Sequence, residues 1–254
     1  MLEAYGQTDV GRRRKLNEDN FLVSKEPGLF AVCDGMGGHN AGEVASKMAI
    51  ETLQAFIEKS HREKEITWPY GLDVNLSFDG NRLKTAVKLA NKKVFRAADN
   101  REDYTGMGTT AVAALVSENV LTVGSAGDSR CYLLRAGKLT QLTRDDSWVS
   151  AALGEGILNP DEIERHPLRN VITKAVGAKD NIDLETSEHK LASGDIVLLC
   201  SDGLHGMLTD EQILGLLNPA PADLEKAAGA LVDAANEAGG KDNVSVVLLK
   251  YTTG

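Results

Sequence analysis

Residues 109–143 read TTAVAALVSENVLTVGSAGDSRCYLLRAGKLTQLT. The runs TTAVAALV, VLTVGSA, RCYLLR and KLTQLT are short and rich in β-prone residues, and Ser-Glu-Asn, Gly-Asp-Ser and Ala-Gly-Lys break them. Apolar runs of this length closed by turn residues predict a meander of antiparallel strands. Upstream the period changes. Ala45, Met48, Leu53 and Phe56, and then Leu83, Val87, Ala90 and Val94, recur at helical steps and predict two amphipathic helices. Residues 60–80 mix Pro, Gly and charge without a period, which predicts an exposed connection. Downstream, 144–180 is polar and irregularly helical, DIVLLC predicts a strand, helices are expected near 209–217 and 221–238, and NVSVVLLK predicts a closing strand. Strands that follow strands, with helices arriving in pairs, imply an α+β fold with antiparallel sheets rather than a doubly wound parallel sheet. No repeat, low-complexity tract or linker divides the 254 residues, so a single domain over 1–254 is expected.

The composition, 42% hydrophobic and 26% charged, is that of a globular chain able to bury a core without staples. Cys33, Cys131 and Cys200 have no metal-site spacing and lie in apolar runs, as reduced core thiols of a cytoplasmic protein would. The chain opens without an apolar signal region and has no stretch of eighteen apolar residues, so neither export nor a membrane anchor is expected. Net charge is −9 and the one basic cluster, Arg12–Lys15, is short, which argues against a nucleic-acid partner.

The acids fall at strand ends. The run Leu29–Cys33 ends at Asp34-Gly35, and Ile196–Cys200 ends one serine before Asp202-Gly203. Conversely, Asp242-Asn243 precedes the last strand, and Glu18-Asp19 precedes Phe21-Leu22-Val23. In antiparallel sheets one strand's end lies beside its neighbour's start, so these positions share an edge, with Asp128 between two strands as a fifth. Any one alone is an ordinary turn; together they form a cluster that repels itself unless cations neutralise it. An oxygen-rich set without Cys or His pairs suits Mg²⁺ or Mn²⁺, with Ca²⁺ as competitor. Gly35 lets the backbone come close enough for its carbonyl to join as a ligand. The competing explanation of the glycines, a phosphate cradle, fits poorly: DGMGGHNAGE has neither the Gly-Lys-Ser/Thr ending of a P-loop nor the third glycine of G-x-G-x-x-G.

In order and spacing, GRRRKLNEDN, CDGMGGHNAGEVAS, GTTAVAALV, VGSAGDSRCYLL, HPLRNVITKAVG, LLCSDGLHGML and GGKDNVSVVLL resemble the metal-dependent PPM (type 2C) serine/threonine protein phosphatases, in their compact bacterial form. The resemblance runs from about Thr8 to Leu249. It implies a four-layer α-β-β-α sandwich with a metal cleft at one edge. It also implies a bridging role for Asp34 between two ions, an added carbonyl from Gly35, and completion of the shells by Asp202 and Asp242. Glu18 and Asp19 would hold metal-bound waters or coordinate directly, and Asp128 would hold a third, weaker ion. Arg14 takes the phosphate-binding position, with Arg12 and Arg13 as solvated neighbours. The activity implied is hydrolysis of phosphoserine and phosphothreonine in proteins, the substrates of a Ser/Thr kinase, by a metal-activated water. A monomer is expected because nothing in the sequence marks a large apolar patch.

His39 is the nearest proton donor for the leaving group, but it stands three residues beyond Met36, which occupies the position of the eukaryotic relatives' histidine. A helix-capping role, or donation by a metal-bound water, is an equal alternative. Glu43 reads as structural, and Thr109-Thr110 begin a strand where they either hydrogen-bond the metal-binding loops or, as the safer reading, pack. Residues 144–172 correspond to the family's flap; here Asp145-Asp146-Ser147 replaces the relatives' Asp-His-Ser, and Lys174 replaces a frequent arginine. Two other readings stay open: a non-catalytic regulator of the same fold, and a phosphatase of small phosphate esters.

Overall fold

Alternate residues of the central strands enter different cores, and that alternation builds the layers. Strand β3 (Leu29–Met36) sends Leu29, Ala31 and Cys33 to one side and Phe30 and Val32 to the other. The computed structural model describes residues 1–38, 41–63, 66–159, 162, 166–218 and 220–253.

Among these, β2 (Asp19–Ser24), β3, β5 (Ala111–Ser117), β6 (Val120–Ala126) and β9 (Glu185–Lys190) lie side by side in one antiparallel sheet, with the short β4 (Gly108–Thr109) paired to β3. The second sheet runs β1 (Leu2–Asp9), β11 (Val244–Tyr251), β10 (Ile196–Cys200), β7 (Arg130–Arg135) and β8 (Lys138–Gln141). Helices α1 (Ala41–Arg62) and α2 (Phe78–Asn100) cover the first sheet, burying Ala45, Leu53, Leu83 and Val87 against Leu29, Ala31 and Leu115. Phe30, Val32, Val112, Val197, Leu199 and Val247 fill the space between the sheets. On the far side, α5 (Asp210–Leu217) and α6 (Leu224–Glu237) pack Ile213, Leu224 and Leu231 onto Ile196, Leu198, Val246 and Leu248. Three cores thus separate four layers, and each fully buried Leu or Val within them contributes about 1.5–3 kcal/mol relative to exposure. The fold is α+β, as expected.

The run at 109–143 is not one meander. β5 and β6 form a hairpin in the first sheet, whereas β7 and β8 form a hairpin in the second, so the chain changes sheets at Gly127-Asp128-Ser129. Gly127 adopts φ +105° with Thr110 packed where a Cβ would stand, which directs the chain across the sandwich instead of back along β6. Periodicity records strand after strand but not which sheet receives each. Two strands were not anticipated. β1 and β9 are half-exposed edges of mixed composition, fixed by pairing with β11 and β6 rather than by their own pattern.

The helices near 209–217 and 221–238 begin at Asp210 and Leu224, set by a Thr209–Gln212 capping box and by Asp223, whose carboxylate accepts from Glu225 N–H and Lys226 N–H. The 60–80 connection is more anchored than expected: Trp68 stands edge-on to Phe56 and Phe78, with ring centroids 6.2 and 5.5 Å away. A short α4 (Asp202–His205) follows β10, and α3 (Trp148–Gly154) starts the segment expected to form a flap. The three cysteines are buried and unpaired, with burial raising each thiol's pKa, so they pack as small apolar side chains. Among the described residues no helix is long and apolar enough to cross a membrane.

Candidate metal centre

The sandwich brings the acidic strand ends to one rim. In the β2–β3 pair Asp19 stands directly opposite Asp34. In the other sheet β10 ends beside the start of β11, where Ser201 N–H donates to the Ser245 carbonyl at 3.1 Å, placing Asp202 next to the turn of Asp242. The hydroxyl of Ser201 then donates to Asp19 Oδ2 at 2.7 Å, joining the two sheets across the rim.

Glycines permit this approach. A Cβ on Gly35 would lie 2.0 Å from the Gly42 carbonyl oxygen and 2.7 Å from that of Glu18, and one on Gly203 would lie 1.9 Å from the Asn243 carbonyl oxygen. Each Asp-Gly step therefore presses its strand end against a neighbouring backbone that no larger residue would admit.

The carboxylates perturb one another as a group. Burial pushes Asp34 well above the usual range, reinforced by the charges of Asp19, Asp202, Asp128 and Asp242. Burial likewise raises Asp19 and Asp202 to about 6, and raises Asp128 to about 7 with help from Asp202 and Asp145. Glu18 is raised more mildly, chiefly by burial, and its carboxylate rests against Gly42 in the first turn of α1. Asp19 Oδ1, Asp128 Oδ1 and Asp202 Oδ1 are buried without a hydrogen-bond partner. Buried carboxylate oxygens left unmatched are costly, and a hard cation satisfies several at once. The donor set thus fits a divalent, oxygen-preferring ion, although among the described residues no three His, Cys, Asp or Glu side chains close into a cage as they stand.

Arg14 leans into the rim and donates to Asp242 Oδ2 at 2.7 Å, a bond that raises its pKa and secures its charge. Gly35 lies at the rim beside Glu18 and Gly42. His39 lies outside the described residues. Of the other expected site residues, Glu18, Asp19, Asp34, Asp202 and Asp242 gather with Arg14, and Asp128 is near enough to perturb Asp34.

The threonine pair takes the hydrogen-bonding reading rather than the packing one, and Asn243 and His205 are supporting residues that had gone unread. Thr109 and Thr110 do more than pack: Thr109 Oγ1 donates to the Asp34 carbonyl at 2.8 Å, and Thr110 Oγ1 accepts from Asp34 N–H at 2.9 Å while bonding Ser129 Oγ at 2.7 Å. Asn243 accepts from Glu18 N–H and donates to the Val10 and Leu16 carbonyls, tying the arginine loop to the Asp242 turn. His205 Nε2 lies 3.0 Å from the Asp128 carbonyl, and burial pushes its pKa down to about 4, so it is a neutral donor there. For Asn243 and His205 the only signal was adjacency to an acid motif.

Residues 8–243 match the profile of the family described as protein phosphatase 2C. The chain belongs to the protein phosphatase 2C family. It is 33% identical over 256 residues to the serine/threonine phosphatase stp of Listeria welshimeri, covering 98% of this chain and 96% of that protein. Among solved structures, the serine/threonine phosphatase PstP/Ppp of Mycobacterium tuberculosis superposes with a TM-score of 0.85 at 35% identity over 99% of each chain. The catalytic domain of PstP, crystallised with two manganese ions, does so with a TM-score of 0.83 at 34% identity, again over 99% of each. The four layers are those the family resemblance had implied, and the strand-end pattern had implied only that the acids share an edge.

Proposed function

We propose that this chain is a metal-dependent protein phosphatase that hydrolyses phosphoserine and phosphothreonine with Mn²⁺ or Mg²⁺, as one catalytic domain spanning 1–254. The observation that carries the reading is the rim itself: mutually raised carboxylates with unsatisfied buried oxygens, and a charged arginine leaning over them.

Asp34, Asp202, Asp242 and the Gly35 carbonyl would hold a pair of ions, Glu18 and Asp19 would hold waters on them or join directly, and Asp128 would hold a third. Bound there, divalent ions supply an acidified water and neutralise charge developing on the phosphoryl oxygens. The protein's own part is placement. Arg14 offers a planar fork to the phosphate dianion, and its present partner Asp242 keeps it at the rim. Thr109 and Thr110 fix the Asp34 backbone, and Ser201 fixes the carboxylate of Asp19. A proton for the leaving alkoxide would come from His39 or from water. We read the chain as a cytoplasmic monomer that opposes a Ser/Thr kinase. The PstP structure with two manganese ions supports the ion count.

The test is phosphate release from a phosphothreonine peptide by metal-stripped protein, before and after adding Mn²⁺, beside a phosphotyrosine peptide and a free phosphorylated metabolite. Metal-dependent release from phosphothreonine is expected. Metal binding with no turnover would turn the reading to a non-catalytic regulator, and preference for the metabolite would turn it to a small-ester phosphatase.

A further inference from the structure

Asp146 makes more ordered contacts than a residue at the start of an irregular segment requires. Its N–H donates to the Gly127 carbonyl at 2.8 Å, and its Oδ2 accepts from Gly127 N–H at 3.2 Å. Its own carbonyl accepts from Thr173 N–H at 2.7 Å, and its Oδ1 meets Lys174 Nζ at 2.9 Å. Both side chains of that pair are largely shielded, at 18% and 29% exposure, which lifts the pair above the weak surface class. The pairing continues on either side. Ser147 bridges to Ile172, Trp148 N–H donates to the Val171 carbonyl, and two residues past Lys174 the backbone of Val176 pairs with Thr109.

Residues 146 and 174 therefore close the neck of the intervening segment. The neck stands on two elements that feed the rim: the Gly127-Asp128 turn on one side, and Thr109 of β4, which bonds the Asp34 carbonyl, on the other. Gly127 itself has φ +105° and so gains little restraint from its own backbone preference.

We propose that Asp146 is a positioning residue: its carboxylate, clamped by Lys174, holds the Gly127-Asp128 turn, so that one ion pair at the neck sets the aim of Asp128. The proposal rests on the metal-centre reading, in which Asp128 serves the weakest ion. Lys174 supplies the charge that fixes the Asp146 rotamer, and Asp146 supplies the acceptor that fixes the turn. Neither touches substrate.

The experiment compares the full-length chain with Asp146→Ala, Asp146→Asn, Lys174→Met and Lys174→Arg. Mn²⁺ binding is followed by the electron paramagnetic resonance of the free ion, and the Mn²⁺ dependence of p-nitrophenyl phosphate hydrolysis is measured beside it. Residues that orient a metal ligand typically change affinity about 10–100-fold, so Asp146→Ala should weaken the weakest Mn²⁺ step about 10-fold. Asp146→Asn retains an oxygen acceptor and Lys174→Met retains the carboxylate, so each should weaken it by roughly a third as much. Lys174→Arg should match the parent. KM at saturating Mn²⁺ should not move.

A parental Mn²⁺ isotherm in Asp146→Ala would overturn the proposal, as would Lys174→Arg failing like Lys174→Met. Should Asp146→Ala not fold, Asp146→Asn and Lys174→Met carry the same test. The resonance isotherm needs no turnover, so loss of the phosphatase reading and loss of this one remain separable.

Discussion

In the β2–β3 hairpin, Asp19 and Asp34 face each other in register, and Ser201, Thr109 and Thr110 hold the carboxylate of one and the backbone of the other. Across the rim, where β10 ends and β11 begins, Asp202 is raised to about 6 while Asp242 keeps a third of its side chain exposed and pairs with Arg14, itself half exposed. Both halves place an acid at a strand end beside a neighbour's start. They differ in what holds the carboxylates: in the first, Ser201 bonds one oxygen of Asp19 and leaves the other unmatched, whereas in the second Asp242 sits in an exchangeable ion pair. A buried, preset carboxylate suits permanent coordination, whereas an exposed pair suits a group that must let go of one partner to take another.

That contrast breaks most sharply at Asp34. Asp34→Asn keeps the shape and removes the charge at the position that Asp19, Asp202, Asp128 and Asp242 all perturb, so metal-stimulated hydrolysis should fall by more than the roughly 100-fold ceiling typical of residues that only support a ligand. Unfolding by urea should show a fold retained; activity near the parent's would refute the assignment.

Arg14 tests the exchangeable half. A charge-assisted hydrogen bond is worth about 1.5–3 kcal/mol, so Arg14→Ala should raise KM for a phosphopeptide by roughly 10–100-fold. Kinetics at saturating Mn²⁺ would show it, and a change confined to kcat would remove Arg14 from phosphate capture.

The smallest effect concerns pH. Asp19 and Asp202, at about 6, and Asp128, at about 7, bind protons more tightly folded than unfolded. In metal-stripped protein the stability they lend is complete below about pH 4, where the unfolded chain is protonated too, and is lost as pH rises through 6 to 7. Urea midpoints should therefore fall between pH 5 and pH 8 without metal, and Mn²⁺ should restore the loss at pH 8 while changing little at pH 5. A midpoint that rises over this range without metal would contradict the burial and mutual repulsion that raise these carboxyls.

Much of the fold and most of the rim could be read from residue order. Leu29–Cys33 and Ile196–Cys200 are buried on both faces, so each appears as an uninterrupted apolar run whose end is easy to mark, and the acid after each mark is legible. β1 and β9 were illegible because a half-exposed edge strand takes its conformation from its partner. The split of 109–143 was illegible for a related reason: the two hairpins share one local pattern, and the chain passes to the other sheet at Gly127, packed on Thr110, through contacts that the pattern does not record.

By itself, then, the sequence determined the strand ends, the acids placed on them, the amphipathic helices and the family. The first three are local properties, written in periodicity and in residue type at a turn, whereas the family rests on a resemblance carried by seven ordered motifs. Tertiary structure alone decided which sheet each strand joins, that Ser201 of one sheet holds Asp19 of the other, that Arg14 pairs with Asp242, and that Asp146 and Lys174 close a neck against the Asp128 turn. Apart from the neck, whose closure spans 28 residues and whose contact with Gly127 spans 19, these contacts join residues distant in the chain, and their energies depend on burial and distance, quantities that exist only once the layers have packed.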